Sequence, residues 1–168
     1  GLQMLGEALI DTHGIDGNAP GLGLLPLVTL FEPGKTVRRT QARFDAATGA
    51  GDCGGSTFWR ALAGIEVAGY EIHHGQTAQH PAMAQAGDLA RAVMPGGLAW
   101  QNAGGNVLGV YLHGLLEDAG FLQALFGARV PTLDTVFDGL ADFVATHFEP
   151  GRLDGLIGGE SGGDLAQT

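Results

Sequence analysis

The sequence predicts an α/β fold, and three observations carry that prediction. Short apolar runs rich in β-branched and aromatic residues, of which Val107-Leu-Gly-Val-Tyr-Leu112 is the clearest, read as strands of a sheet covered on both faces. Other segments place apolar residues at helical spacing, above all Leu133 to Phe148. The chain has 30 glycines with no collagen period, which fits many tight turns between short elements. Strands alternating with helices over 168 residues argue for an α/β sheet in one domain with a sizeable core.

In chain order, Leu2, Leu5, Leu9 and Ile10 predict an opening helix stopped near Gly14. No capping residue stands ahead of Leu2 and no initiator methionine opens the chain. The expectation is therefore a truncated piece, its preceding strand and turn lying upstream of Gly1. Asp16 to Pro26 reads as loop. Leu27 to Phe31 reads as a strand, Glu32-Pro-Gly34 as a turn, and Thr36 to Phe44 as a second strand paired through that turn. Asp45 to Gly55 is expected to be a mobile loop, and Ser56 to cap a short helix through Ala63 ended by Gly64. Ile65 to Ile72 is a third strand, running into Glu71-Ile-His-His-Gly75. Gln76 to Gly97 carries little signal.

Leu98 to Gln101 reads as a strand, and Ala103-Gly-Gly105 turns into the Val107 strand. Phe121, Leu122, Leu125 and Phe126 form one face of a helix closed by Gly127. Leu133, Val136, Phe137, Leu140, Phe143 and Val144 form the stripe of a longer helix, capped by Thr132 and stopped by Pro150. His147 sits on that apolar side, where packing is its expected role. Gly158 to Thr168 is glycine-rich and polar and is expected to fray. The domain is thus read as residues 1–157 with a flexible tail over 158–168, and no internal repeat is present.

Composition narrows the function. Acidic residues outnumber basic ones 18 to 8, for a formal charge of −10. Only Lys35, Arg38, Arg39 and Arg43 cluster, too few basic groups for phosphate-driven nucleic-acid binding. The longest apolar stretch, Leu22 to Phe31, is broken by Pro26 and too short to span a bilayer. No basic-then-apolar leader opens the chain. A single cysteine, Cys53, excludes an internal disulfide framework and fits a reducing, cytoplasmic setting.

His113 is the first candidate for chemistry. It stands where the Val107 strand stops and a helix is about to begin, the edge at which open α/β sheets bind ligands. An imidazole there is a natural general base. The alternative is a histidine that closes a strand and bonds to backbone. Cys53, in Gly51-Asp-Cys-Gly-Gly55, has the outline of a nucleophile elbow but lacks the buried strand before it, so a loop thiol is the competing reading. His73, His74, Glu71 and His80 suggest a metal by composition. Adjacent histidines on a strand point to opposite faces, however, so no metal is expected and one of the pair is expected to line the cleft of His113. No glycine loop has the nucleotide-binding pattern G-x-x-x-x-G-K-[ST] or opens a helix as G-x-G-x-x-G.

Four stretches together resemble one family. They are Gly1-Leu-Gln-Met-Leu-Gly6, Pro20-Gly-Leu-Gly-Leu-Leu-Pro26, Gly69-Tyr-Glu-Ile-His-His-Gly75 and Gly109-Val-Tyr-Leu-His-Gly-Leu115. In this order they are similar to the glutamine amidotransferase domains of the cobyric acid synthase family of cobalamin biosynthesis. Lys35-Thr-Val-Arg38 and the closing helix fit as well. The resemblance implies a flavodoxin-like class I α/β fold lacking its N-terminal strands here. It also implies a nucleophilic cysteine two residues ahead of Gly1, a thiolate favoured by its place at a helix N-terminus. His113 matches the histidine that assists that thiolate and protonates departing ammonia.

The resemblance assigns Gln3 and Gly1 to the glutamine site and Tyr70, Glu71 and His73 to a signature beside it. Many relatives carry a glutamate two residues after the histidine; this chain has Leu115. The implied partners are glutamine and, through a synthetase domain that uses ATP and Mg2+, a corrinoid whose carboxylates, those of adenosylcobyrinic acid a,c-diamide, are amidated. A homo-oligomer stays open. This piece alone, without the cysteine, is expected to be inactive. The rival readings are a related amidotransferase acting on cobyrinate or a cell-wall substrate, a non-catalytic scaffold of the same fold, and Cys53 as a relocated nucleophile.

Overall fold

The computed structural model describes residues 1–14, 16–52, 54, 57–127, 131–149 and 151. It is mixed α/β and divides into two compact units, Gly1–Val130 and Pro131–Thr168. The first unit opens with a single helical turn, α1 (Leu2–Leu5), followed by strands β1 (Ala8–Ile10), β2 (Ala19–Pro20), β3 (Leu27–Arg43) and β4 (Glu66–Gln79). Then come α2 (Pro81–Gln85), β5 (Ala90–Ala92), β6 (Ala99–Asn102), β7 (Leu108–Val110), β8 (Leu112–His113) and α3 (Ala119–Phe126). One sheet has the order β2-β1-β3-β4-β8 and a second the order β5-β6-β7. Among the described residues only β1 and β3 pair in parallel; the other pairs are antiparallel. The second unit contains α4 (Leu133–His147).

The expected opening helix ends early. Gly6 has extended backbone, and the Glu7 amide donates to the Leu27 carbonyl at 2.7 Å rather than continuing the turn. Ala8, Leu9 and Ile10 then pair with Val28, Thr29 and Leu30 as a strand. Helical spacing of leucines is outvoted here by ladder bonds to a distant strand.

The expected hairpin at Glu32-Pro-Gly34 is likewise replaced. β3 runs straight through, and the register against β4 shifts between Leu30 and Lys35. Proline and glycine mark a bulge as readily as a turn. On the partner strand Gly75 has φ +76, and a Cβ there would lie 2.0 Å from the Leu30 carbonyl oxygen, so glycine is required. The third strand accordingly extends past the expected Ile72 to Gln79.

The Val107–Leu112 run is also two strands, not one. Val110 pairs with Ala99, whereas His113 pairs with Tyr70. Between them the Tyr111 amide donates to the Leu98 carbonyl at 2.8 Å. The chain changes sheets at Tyr111, and this step delivers His113 to the edge of the larger sheet. Gly114, at φ +81, and a 3-10 turn over Leu115–Glu117 then lead into α3. Asp118 caps that helix from one oxygen, accepting from Phe121 at 2.9 Å, and ties it to β4 with the other, accepting from Ala68 at 3.1 Å.

The core joins Leu2, Leu25, Leu27, Phe44, Val67, Val93, Leu112, Leu115 and Phe121 across both sheets. Gly109 belongs to its packing: a Cβ there would approach Leu2 Cδ1 to 2.5 Å, so α1 rests directly on the β7 backbone. Gln101 is a buried polar group within this core. It accepts from Gly49 N at 2.8 Å and donates to Ala50 O at 2.9 Å, holding the Asp45–Gly51 segment. Gln101→Leu is expected to cost roughly 1–3 kcal/mol for each backbone group left unpaired. Urea unfolding of the chain measures this; an unchanged midpoint would contradict it.

In the second unit Thr132 caps α4, accepting from Thr135 N at 3.4 Å. His147 stacks on Phe143 with ring centroids 4.2 Å apart. Ser56, Cys53, Pro150, the boundary at residue 157 and the Gly158–Thr168 tail lie outside the described residues.

Candidate active site

A cavity of 440 Å³ lies where α1, β4 and the β7–β8 step meet, and Gly1, Gln3, His73, Tyr111 and His113 line it. Three local causes bring them together. The glycine at position 109 lets α1 sit on β7, so that a Cβ at Gly1 would stand only 3.7 Å from the Val110 carbonyl oxygen. The sheet change at Tyr111 carries His113 beside β4. Gln3 is anchored across the gap, its side-chain amide donating to the His74 carbonyl at 2.7 Å.

His113 is exposed. Its one described hydrogen bond joins Nε2 to the Ile72 carbonyl at 3.3 Å, long enough to leave that nitrogen weakly engaged. Leu115, two residues on, is buried in the core. No carboxylate stands there to orient the ring.

His73 is held far more firmly. Its Nδ1 faces the Gly75 carbonyl at 3.0 Å and its Nε2 faces Glu71 Oε1 at 2.9 Å. Its ring stacks on Tyr111 with centroids 4.0 Å apart. The Tyr111 hydroxyl bonds to Thr77, whose hydroxyl meets that of buried Thr29 at 2.6 Å. Burial pushes the Tyr111 phenol above its ordinary value, against the hydrogen bond to Thr77. His73 and His113 line the same cavity. Among the described residues no group of three His, Cys, Asp or Glu side chains is placed to hold a metal ion.

Glu71 is 6% exposed and lines a neighbouring cavity rather than this one. Burial opposes its charge, but hydrogen bonds from Arg38 at 2.7 Å and from His73 outweigh it and hold the carboxyl below the usual carboxylate range. A depressed native pKa contributes stability above the unfolded value near 4.5, and that contribution is lost as pH falls through the native value. The urea midpoint is thus expected to fall on acidification below about pH 4.5, and less steeply in Glu71→Gln. Parallel curves for the two proteins would contradict this.

Tyr70 is 52% exposed and lines neither cavity. Tyr111, Thr77 and Arg38 belong to the arrangement but were not singled out from sequence as site residues. The available signal for Thr77 was the period of two: Glu71, His73 and Thr77 stand at even spacing on β4 and line one cavity.

The family match defines the class, an α/β glutamine amidotransferase domain. The model of the CobB/CobQ-like glutamine amidotransferase domain matches residues 1–121, and the chain belongs to that family. Its mixed α/β architecture is consistent with the class I, flavodoxin-like fold. The particular relatives are cobyric acid synthases. The chain is 69% identical over 157 residues to that of Polaromonas sp. (strain JS666), covering 94% of this chain and 29% of the relative. Over 156 residues it is 69% identical to that of Acidovorax ebreus, covering 93% and 30%. Over 164 residues it is 55% identical to that of Leptothrix cholodnii, covering 94% and 30%. The chain thus spans about three-tenths of the length of these curated relatives.

Proposed function

We propose that this chain supplies the glutaminase step of a cobyric acid synthase, releasing ammonia from glutamine for the ATP-dependent amidation of corrinoid carboxylates, those of adenosylcobyrinic acid a,c-diamide. The observation that supports the reading is the single cavity shared by the leading end of α1, Gln3 and His113, in a chain of this family. On this reading the nucleophile is a cysteine encoded two residues ahead of Gly1, which itself lines that cavity. Its thiolate attacks the side-chain carbonyl carbon of glutamine. The carbon–nitrogen bond breaks, and the nitrogen leaves as ammonia with a proton delivered by His113. Water, deprotonated by the same imidazole, then attacks the thioester and frees glutamate and the thiol.

Gln3 borders the substrate amide, its own side chain fixed by the His74 carbonyl. The chain has no phosphate-binding glycine loop of the G-x-x-x-x-G-K-[ST] type. On this reading ATP and Mg2+ belong to the synthetase domain. The setting that goes with this chemistry is cytoplasmic; among the described residues no helix is long and apolar enough to cross a membrane.

The test is the full-length gene product supplied with glutamine labelled with nitrogen-15 in its side-chain amide. Label recovered in the amidated corrinoid, with glutamate formed alongside, supports the reading. Absence of glutamate formation would overturn it, and so would label passing to another acceptor.

A further inference from the structure

A second cavity, of 210 Å³, lies against the candidate active site and shares two lining residues with it, His73 and Tyr111. The stacked rings of those two residues are therefore the wall between the two spaces. The second space is polar, bordered by Thr36, Arg38, Glu71, Gln76 and Thr77.

Each ring of the wall is fastened differently. Tyr111 is pinned by its hydroxyl to Thr77 and through it to Thr29, which is buried in the sheet. His73 is pinned at one nitrogen by backbone, at Gly75, and at the other by one side chain, Glu71. Glu71 stands behind the wall and does not line the front cavity.

Placing a carboxylate where it is only 6% exposed is costly unless its partners repay the lost water. One partner, Arg38, bonds Glu71 at 2.7 Å from a side chain that is 65% exposed. The other, His73, has a side chain only 7% exposed, as buried as that of Glu71 itself. Glu71 thus ties a buried ring to an exposed guanidinium, and that ring lines the candidate active site.

We infer that Glu71 is a positioning residue for the glutaminase reaction: by holding the His73 ring stacked on Tyr111 it keeps the cavity of Gln3 and His113 closed from the polar cavity behind it and shaped for glutamine. The inference rests on the function proposed above. Without the tether the ring can leave Tyr111, the two spaces join, and the substrate loses a wall.

The test uses Glu71→Ala and Glu71→Gln in the full-length gene product. Glu71→Ala is expected to raise KM for glutamine about 10- to 10²-fold, the scale of a misplaced positioning contact, with kcat far less affected. Glu71→Gln keeps an oxygen that can accept from His73 and should return KM most of the way. In the 168-residue chain, NMR of the His73 ring protons gives a reading free of activity. The upfield shift imposed by the Tyr111 ring should be present in the unsubstituted chain and lost in Glu71→Ala.

An unchanged KM in Glu71→Ala overturns the inference, as does a retained ring shift. Glu71→Gln as impaired as Glu71→Ala also overturns it, because the charge pair with Arg38 would then be what matters. Should Glu71→Ala not fold, Glu71→Asp, with its shorter reach, carries the same two expectations. If the unsubstituted full-length protein does not hydrolyse glutamine, the functional reading falls and the catalytic part of the inference falls with it. The ring shift still reports whether Glu71 holds the wall.

Discussion

His113→Ala in the full-length gene product is expected to lower glutamine hydrolysis by roughly 10²-fold or more, the usual contribution of a positioned general acid–base. The measurement is glutamate release at saturating glutamine, with and without the substitution. The side chain is exposed, and its one described contact is a long bond to the Ile72 carbonyl, so thermal stability should barely move. Loss of activity without loss of fold is the signature that separates a chemical role from a strand-closing one. A near-normal rate would remove His113 from the reaction. The same geometry says why a glutamate cannot simply be restored two residues on. Leu115 is core, packed in the cluster that includes Phe121. Leu115→Glu would bury a carboxylate rather than complete a triad, and stability should fall.

Gly69→Ala should have a comparably large effect by a different route. A Cβ at this position would stand 2.6 Å from the His113 carbonyl oxygen and 3.2 Å from Leu112 Cβ. The first obstacle is backbone and cannot rotate aside, so β8 must move away from β4 and take His113 with it. Overpacking of this kind costs typically about 1–3 kcal/mol. A displacement of an ångström at a reacting group costs up to about 10²-fold in rate. Urea unfolding of the chain reads the first quantity and glutaminase of the full-length protein the second. Wild-type values in both would show that β8 is not seated as described.

Local signals were legible where the local chain decides the outcome. Asp118 and Gly127 bound α3, and Thr132 opens α4, because a cap needs partners only two or three residues away. The same signals misled wherever the deciding partner is remote. Leu2 to Ile10 reads as one helix, yet Gly6 and Glu7 answer to Leu27. Pro33-Gly34 reads as a turn, yet both flanking segments pair with β4 as one strand. Of the candidate site, the strand-end position of His113 and the resemblance in its four motifs were visible from residues alone. The sheet change at Tyr111 was not, because Val107 to Leu112 is uniformly apolar and nothing in it marks where one sheet hands the chain to the other. Arg38 was counted as one of a basic cluster; its use became visible only with Glu71 beside it.

The β3–β4 ladder has a consequence for how the protein reaches this state. Its near end joins Arg43 to Glu66 and its far end Leu27 to Gln79, so every rung closes a loop that includes all the nearer ones. Forming the nearest rung first, where Arg43 also meets Glu66 at 2.7 Å, spares the cost of closing the widest loop outright. Folding should therefore zip from that end outward, on a millisecond-to-second rather than a microsecond scale, because the dominant pairing is non-local. The cavity of Gln3 and His113, which depends on the middle of β4, would then form only after the hairpin has advanced past Tyr70.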